Sequence, residues 1–208
     1  MILIDSGPDL RQQALRENIR RVDAVLYTHT HADHLHGIDD LRSFCQINRK
    51  QIPLYANPDH LDIIADRFGY ALRDPGSHWD LPVLAVCPVV APFQLFGVEI
   101  TPIPALHGRS CVYGYRIGNL AYLTDVSEIP PSSMALLQGL DVLLLDCLRF
   151  EPHPTHINVE QSLDYASRIA ANQTYLIHMT HELEYGALSG IMPAGVHVGY
   201  DGLRLQCT

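Results

Sequence analysis

The sequence predicts an α/β fold, and three observations carry that prediction. Short apolar runs of strand character alternate with segments whose apolar residues recur at helical spacing. Helix-start residues and turn glycines fall between them. Residues with metal-binding side chains stand directly after several of the apolar runs, where α/β folds place their chemistry.

The elements follow in order. Residues 2–5 (Ile-Leu-Ile-Asp) read as a strand that leads into a helix over 10–19, and 22–29 reads as the second strand. Residues 52–56 read as a strand, and Asn57-Pro58 is a helix start for 58–68. The stretch 74–92 is rich in Pro and Gly and has no clean period, so it predicts an irregular excursion with one short strand at 83–86. Strands are predicted at 98–103, 114–117 and 120–125, punctuated by Gly97 and Gly118-Asn119 as hairpin turns, with a short helix over 131–137. The run 142–146 is a further strand, Asn158 opens a helix over 159–170, and strands at 175–179 and 196–200 complete the set, with Asp201-Gly202 as another hairpin turn. Repeats and low-complexity linkers are absent from the sequence.

Composition bounds the class. A chain of 208 residues with 47% hydrophobic and 18% charged residues suits one domain over 1–208. The formal charge is −9, and of 14 basic residues only Lys50 is a lysine, which argues against a polyanion-binding face and for small substrates over nucleic acid. No apolar stretch is long enough to cross a bilayer, and Met1-Ile2-Leu3-Ile4 before Asp5 is too short for a signal peptide. A soluble, cytoplasmic protein is the expectation. Cys45, Cys87, Cys111, Cys147 and Cys207 form no Cys-x-x-Cys pair and read as reduced, buried thiols without a catalytic role.

The run Thr28-His29-Thr30-His31-Ala32-Asp33-His34-Leu35-His36-Gly37 carries the chemistry. In an extended segment His29 and His31 point the same way and grip one ion, while a turn into a helix swings Asp33 and His34 towards a second. A chance cluster of surface histidines is the bland alternative, and the density of four ligands in six residues, after an apolar run and before a Gly, tells against it. His36 falls outside the pattern, on the helix surface or behind the ligands. A dinuclear site needs more donors, and His107, Asp125 and His178 each end an apolar run. Alone, each would read as a cap or an interior polar residue; beside the first motif they read as ligands.

With Pro104-Ala105-Leu106-His107-Gly108, Tyr122-Leu123-Thr124-Asp125 and Leu176-Ile177-His178, the chain resembles the metallo-β-lactamase superfamily along essentially its whole length. The resemblance implies an αββα sandwich, with His29, His31 and His107 on one metal, Asp33, His34 and His178 on the other, and Asp125 bridging. True β-lactamases would carry a Cys in place of Asp125. The nearest likeness is to the cyclic-phosphate phosphodiesterases of the phosphonate pathway, with tRNA 3′-processing endonucleases more distant. It rests on Leu3-Ile4-Asp5-Ser6-Gly7-Pro8-Asp9-Leu10-Arg11, Asp39-Asp40-Leu41-Arg42 and Pro154-Thr155-His156-Ile157-Asn158-Val159-Glu160. In those relatives the His matching His156 helps protonate the leaving oxygen; the alternative is a plain helix-entry residue.

The implied chemistry is hydrolysis of a small phosphodiester, cyclic or open, by a hydroxide held between two divalent ions, zinc, manganese or iron. Asp33 would ligate and orient that hydroxide and His156 would act as general acid; Arg149 or Arg109 would hold a phosphate oxygen or simply be surface charges. Two readings compete: a thioester or lactone hydrolase of the glyoxalase II or lactonase kind, which shares all seven ligands, and a non-catalytic metal-binding accessory protein. The His156 segment and the lack of an added C-terminal helical region count against the first, and the intact ligand set against the second. The apparent relatives also carry an upstream strand pair with clustered cysteines, so the chain reads as N-terminally truncated. That leaves His181 without partners for a structural zinc and the strand at 2–5 as an open edge that favours a homodimer.

Overall fold

The computed structural model describes residues 1–72 and 84–207, which divide into two compact units, Met1–Val90 and Ala91–Thr208. In the first unit the strands β1 (Ile2–Ile4), β2 (Ala24–Leu26), β3 (Ile52–Ala56) and β4 (Leu84–Pro88) pair in sequence order, and every pairing is parallel. Parallel neighbours need a crossover, and helices supply it: α1 (Leu10–Arg16), α2 (Ala32–Leu35), α3 (Ile38–Asn48) and α4 (Pro58–Phe68). Ala24, Val25 and Leu26 are all buried, as expected of a parallel strand covered on both faces. The core gathers Val25, Tyr27, Leu35, Leu41, Leu54 and Ile64. Asn57 caps α4 by accepting from the Asp59 N–H, with Pro58 in the first turn, as the sequence predicts. The strand predicted at 83–86 is β4; Val83 and the rest of 74–82 lie outside the described residues.

Two differences in this unit have physical causes. The second strand is shorter than 22–29, because the Thr28 N–H donates to the Asp5 carboxylate at 2.8 Å and so leaves the ladder. The helix α3 is missing from the expected elements, although its Ile38, Leu41, Phe44 and Cys45 are buried at helical spacing.

The second unit holds seven strands: β5 (Phe93–Leu95), β6 (Val98–His107), β7 (Ser110–Ile117), β8 (Leu120–Leu123), β9 (Val142–Asp146), β10 (Gln173–Ile177) and β11 (Val196–Val198). Their order is β11-β10-β9-β8-β7-β6-β5; β5 to β8 form an antiparallel meander, and β8 to β11 run parallel. The helices are α5 (Pro131–Met134), α6 (Val159–Ile169) and α7 (Tyr185–Ser189). A capping box opens α6, with Asn158 accepting from the Gln161 N–H and the Gln161 side chain accepting from the Asn158 N–H.

The expected strand 98–103 continues to His107, through Pro102 and Pro104. Both prolines are tolerated because β5 pairs only with Val98–Ile100, so beyond that point the face of β6 turned from β7 is open. Leu106, two residues on, sends its N–H that way, to the Glu128 carbonyl at 2.9 Å. The strands at 120–125 and 196–200 are shorter than expected, and the one at 175–179 lies two residues earlier, at Gln173–Ile177. β8 and β10 stop where Asp125 (φ 55°) and His178 (φ 62°) turn left-handed. Asp201-Gly202 is a turn, but no strand follows it among the described residues, so it is not a hairpin. No helix of the described residues is long and apolar enough to cross a membrane.

The expectation of buried thiols needs correcting. All five cysteines are thiols and not disulfides, but only Cys45 and Cys147 are buried; Cys111 and Cys207 are exposed. Cys111 fails because its strand has one face outward, a distinction its apolar neighbours conceal. Burial pushes the Cys147 thiol up to about 11, far from the thiolate that reacts. Alkylation of the native protein at neutral pH is therefore expected to label Cys111 and Cys207 first and to leave Cys45 and Cys147 unmodified until denaturant is added, as read by peptide mass mapping.

The loop after β1 is sewn to the metal-motif loop. Ser6 N–H donates to the His34 carbonyl (2.6 Å) and Gly37 N–H to the Ser6 carbonyl (2.8 Å). A Cβ on Gly37 would lie 2.1 Å from the Gly7 carbonyl oxygen, and one on Gly7 would lie 2.5 Å from the Asp33 carbonyl oxygen. Backbone meets backbone there and no side chain can give way. Gly37→Ala is expected to lose about 1–3 kcal/mol of stability, the usual cost of overpacking, seen as a lowered midpoint of thermal or urea unfolding.

Candidate functional site

The first unit sets four candidate ligands around one buried carboxylate. β2 delivers His29 and His31 beyond its end, and the short helix α2 carries Asp33 and His34. His29 and His34 are buried, and His31 and Asp33 face solvent. The ring of His29 lies 4.6 Å from that of His31 and 4.3 Å from that of His34, and His34 Nε2 is 3.4 Å from Asp33 Oδ2.

Hydrogen bonds decide which nitrogen of each ring is available. Asp5 is 8% exposed, and its Oδ2 accepts from His34 Nδ1 at 2.7 Å and from the Thr28 hydroxyl at 2.8 Å. That hydroxyl, its proton spent on Asp5, accepts in turn from His29 Nδ1 at 3.0 Å. Both imidazoles thus keep their proton on Nδ1 and present the Nε2 lone pair, the arrangement metal-ligating histidines need. Asp5 itself sits at φ 58°, a left-handed turn that throws its carboxylate back under the loop. His60, in the first turn of α4, has its Nδ1 buried; burial, then the nearby His29, holds it below the ordinary histidine range.

The second unit repeats the device. His107 ends β6, Asp125 lies two residues past β8, and His178 follows β10. His178 Nε2 is 3.1 Å from Asp125 Oδ1, about the edge between two donors on one ion at bonds of roughly 2.1 Å. Thr124 donates to the same Asp125 oxygen at 2.9 Å. Behind them is Asp146, the last residue of β9 and fully buried. Its Oδ1 lies 3.3 Å from His178 Nδ1, and its Oδ2 lies 3.3 Å from His156 Nδ1 and accepts from the Val126 N–H at 3.2 Å. Asp146, Asp125, His156 and His178 place donor atoms within 4.8 Å of one another. Asp146 Oδ2 takes the Nδ1–H of His156 and its Oδ1 stands at ion-pair distance from His178 Nδ1, so the carboxylate lies behind both rings. His156 and His178 stack 14° from parallel with centroids 5.2 Å apart, and His107 meets His156 edge-on at 4.7 Å.

His107 owes its tautomer to the loop between β9 and α6. Its Nδ1 lies 2.8 Å from the Thr155 carbonyl, which can only accept, so Nε2 is the lone-pair atom. Gly108 (φ 62°) lets the loop approach: a Cβ there would stand 2.9 Å from Thr155 Cγ2. Arg149 pins the same loop, donating to the Glu151 carbonyl at 3.3 Å and the Pro152 carbonyl at 3.0 Å. Arg109 is exposed at the β6–β7 turn, His36 is exposed at the end of α2, and His181 is exposed after β10.

Sequence reasoning assigned no role to Asp5 or Asp146. Asp5 was visible as the polar end of a strand; Asp146 carried the same signal, an acid closing the apolar run Val142-Leu143-Leu144-Leu145. The donor set, imidazole nitrogen with carboxylate oxygen, suits a borderline divalent ion such as zinc or manganese. Replacing Asp146 with Asn, whose amide accepts through one atom only, is expected to release one of the two rings and weaken metal retention about 10- to 100-fold, measured by chelator competition.

Comparison with known proteins agrees with this architecture. A family model described as the beta-lactamase superfamily domain matches residues 1–179. A solved diphosphatase from the PhnP family superposes with a TM-score of 0.92 at 40% identity, covering 100% of this chain and 80% of that one. The short form of human tRNase Z superposes at 0.72 with 16% identity, over 97% of this chain and 86% of that one, a likeness of fold alone. A curated Porphyromonas gingivalis protein named octanoyltransferase is 40% identical over 211 residues, which take in 98% of this chain and 42% of that protein. The chain therefore spans about two fifths of the length of the curated relative it matches.

Proposed function

Because the chain belongs to the metallo-β-lactamase superfamily of hydrolases, and within it to the PhnP family, we propose that it is a phosphodiesterase acting on a small phosphodiester, cyclic or open, with two divalent ions. As one domain over 1–208 it would hold them through His29, His31, Asp33, His34, His107, Asp125 and His178, with Asp125 shared. When bound, such ions acidify water and offset the charge that builds on the phosphorus oxygens.

The chain's own groups do the rest. Asp5, directly and through Thr28, keeps the imidazoles of His34 and His29 in one tautomer and orientation, and Asp146 stands behind His178. Asp33, exposed at the head of α2, orients the attacking oxygen. His156, its Nδ1–H held by Asp146, acts in its imidazolium form, giving the second proton, on Nε2, to the departing oxygen and returning to the neutral ring.

The His156–Asp146 pair is the observation that carries this reading. An alkoxide is a poor leaving group and needs a proton, whereas a thiolate, with a conjugate acid near pH 8.5, leaves unaided. A held imidazole at this place suits a phosphodiester better than a thioester. The five cysteine thiols suit a reducing, cytoplasmic setting.

The test is a screen of metal-loaded protein against phosphodiester, thioester and lactone substrates, with metal content measured alongside. The diester is expected to be turned over, and activity to vanish when a chelator removes the metal. His156→Ala is expected to keep its metal and to lose about 10²- to 10⁴-fold in turnover on an unactivated diester. On a p-nitrophenyl diester, whose leaving group needs no proton, the loss shrinks; an equal loss on both would remove His156 from the acid role.

A further inference from the structure

Resting on that reading, we propose that His153 is a substrate-binding residue: its Nε2–H donates a hydrogen bond to an oxygen carried by the leaving alcohol beside the scissile ester.

The argument begins with the loop between β9 and α6. The Thr155 backbone N–H points at His153 Nδ1 at 3.3 Å, and the Thr155 hydroxyl lies 3.2 Å from the same nitrogen. A backbone N–H can only donate, so Nδ1 must be the acceptor and the ring proton must sit on Nε2. Thr155 therefore works in both directions, its N–H fixing one tautomer at His153 and its carbonyl fixing the other at His107. Burial, then His156 and Arg149, hold His153 below the usual histidine range, which keeps the ring neutral and the clamp intact.

The place of that donor is specific. The His153 ring is tilted 49° to the His156 ring with centroids 5.1 Å apart. His156 addresses the departing oxygen, so a donor one ring-width away meets an atom a few bonds further along the same alcohol. The ring is partly exposed, on the loop that Arg149 ties down through the Glu151 and Pro152 carbonyls. A neutral N–H donor suits a hydroxyl and also an anionic oxygen. The chemistry shared by both is an oxygen acceptor on the leaving group.

A matched pair of cyclic diesters tests this: glycerol 1,2-cyclic phosphate and propane-1,2-diol cyclic phosphate, which differ by one hydroxyl, with 3-phosphoglycerol 1,2-cyclic phosphate as the anionic arm. The readout is the ratio of kcat/KM for an oxygen-bearing substrate over the methyl one. In the wild type the ratio is expected to be about 3 to 10, the worth of one net hydrogen bond. It is expected to fall to about one in His153→Ala and in His153→Asn, whose amide oxygen still accepts from Thr155 but offers no donor at the Nε2 position. His153→Gln, with an amide nitrogen at that position, should bring it back. Which arm shows the larger ratio tells a hydroxyl from an anionic acceptor. A wild-type ratio near one in both arms, or a ratio kept in His153→Asn, overturns the proposal while leaving the phosphodiesterase reading intact. Turnover of no diester at all sinks that reading, and this inference with it.

Discussion

An imidazole can offer its Nε2 lone pair to a cation only while its proton stays on Nδ1, and a free histidine exchanges the two forms readily. The first unit answers this constraint with one buried carboxylate, and the second with a backbone carbonyl at His107 and a buried carboxylate behind His178. Asp5 holds His34 directly and His29 through the Thr28 hydroxyl; Asp146 holds His156 and stands behind His178. The strands determine where those carboxylates stand. Asp5 follows β1, at the edge of its sheet, and Asp146 closes the interior strand β9, so each acid stands at the end of a strand.

Burying a carboxylate is costly unless its oxygens meet donors, and at Asp5 both do. Asp5 accepts from the Thr28 N–H, the Thr28 hydroxyl and His34. Asp146 accepts from the Val126 N–H and faces two ring nitrogens. The same bonds that fix tautomers thus compensate desolvation, and they also end the second strand by drawing Thr28 out of the sheet. Local irregularity and ligand orientation have a common cause.

This division explains what the sequence could reveal. The His-x-His-x-Asp-His run and the polar ends of β6 and β10 were legible because spacing and alternation are written in one dimension, as were the caps at Asn57 and Asn158. The roles of Asp5 and Asp146 were not, since an acid at a strand end reads equally as a turn residue, and its histidine partners lie 29 residues away for Asp5–His34 and 10 for Asp146–His156. The full length of β6 was hidden by Pro102 and Pro104, which look like breakers until the open side of the strand is known. Cys111 looked buried because its neighbours are apolar, though its side of the strand is not.

Asp5, Asp125 and His178 all adopt left-handed backbone, at φ 58°, 55° and 62°. For a residue with a Cβ that conformation costs on the order of 1–2 kcal/mol, and glycine is the ordinary remedy. Here the remedy would delete the side chain that the bend exists to aim. For anyone who wishes to make this protein more heat-stable, these three bends are closed to glycine, while the left-handed residues that follow helices, Asn18, Arg49 and Ala170, are not candidate ligands and stay open to it. Gains must come from surfaces, caps and loops remote from the strand ends.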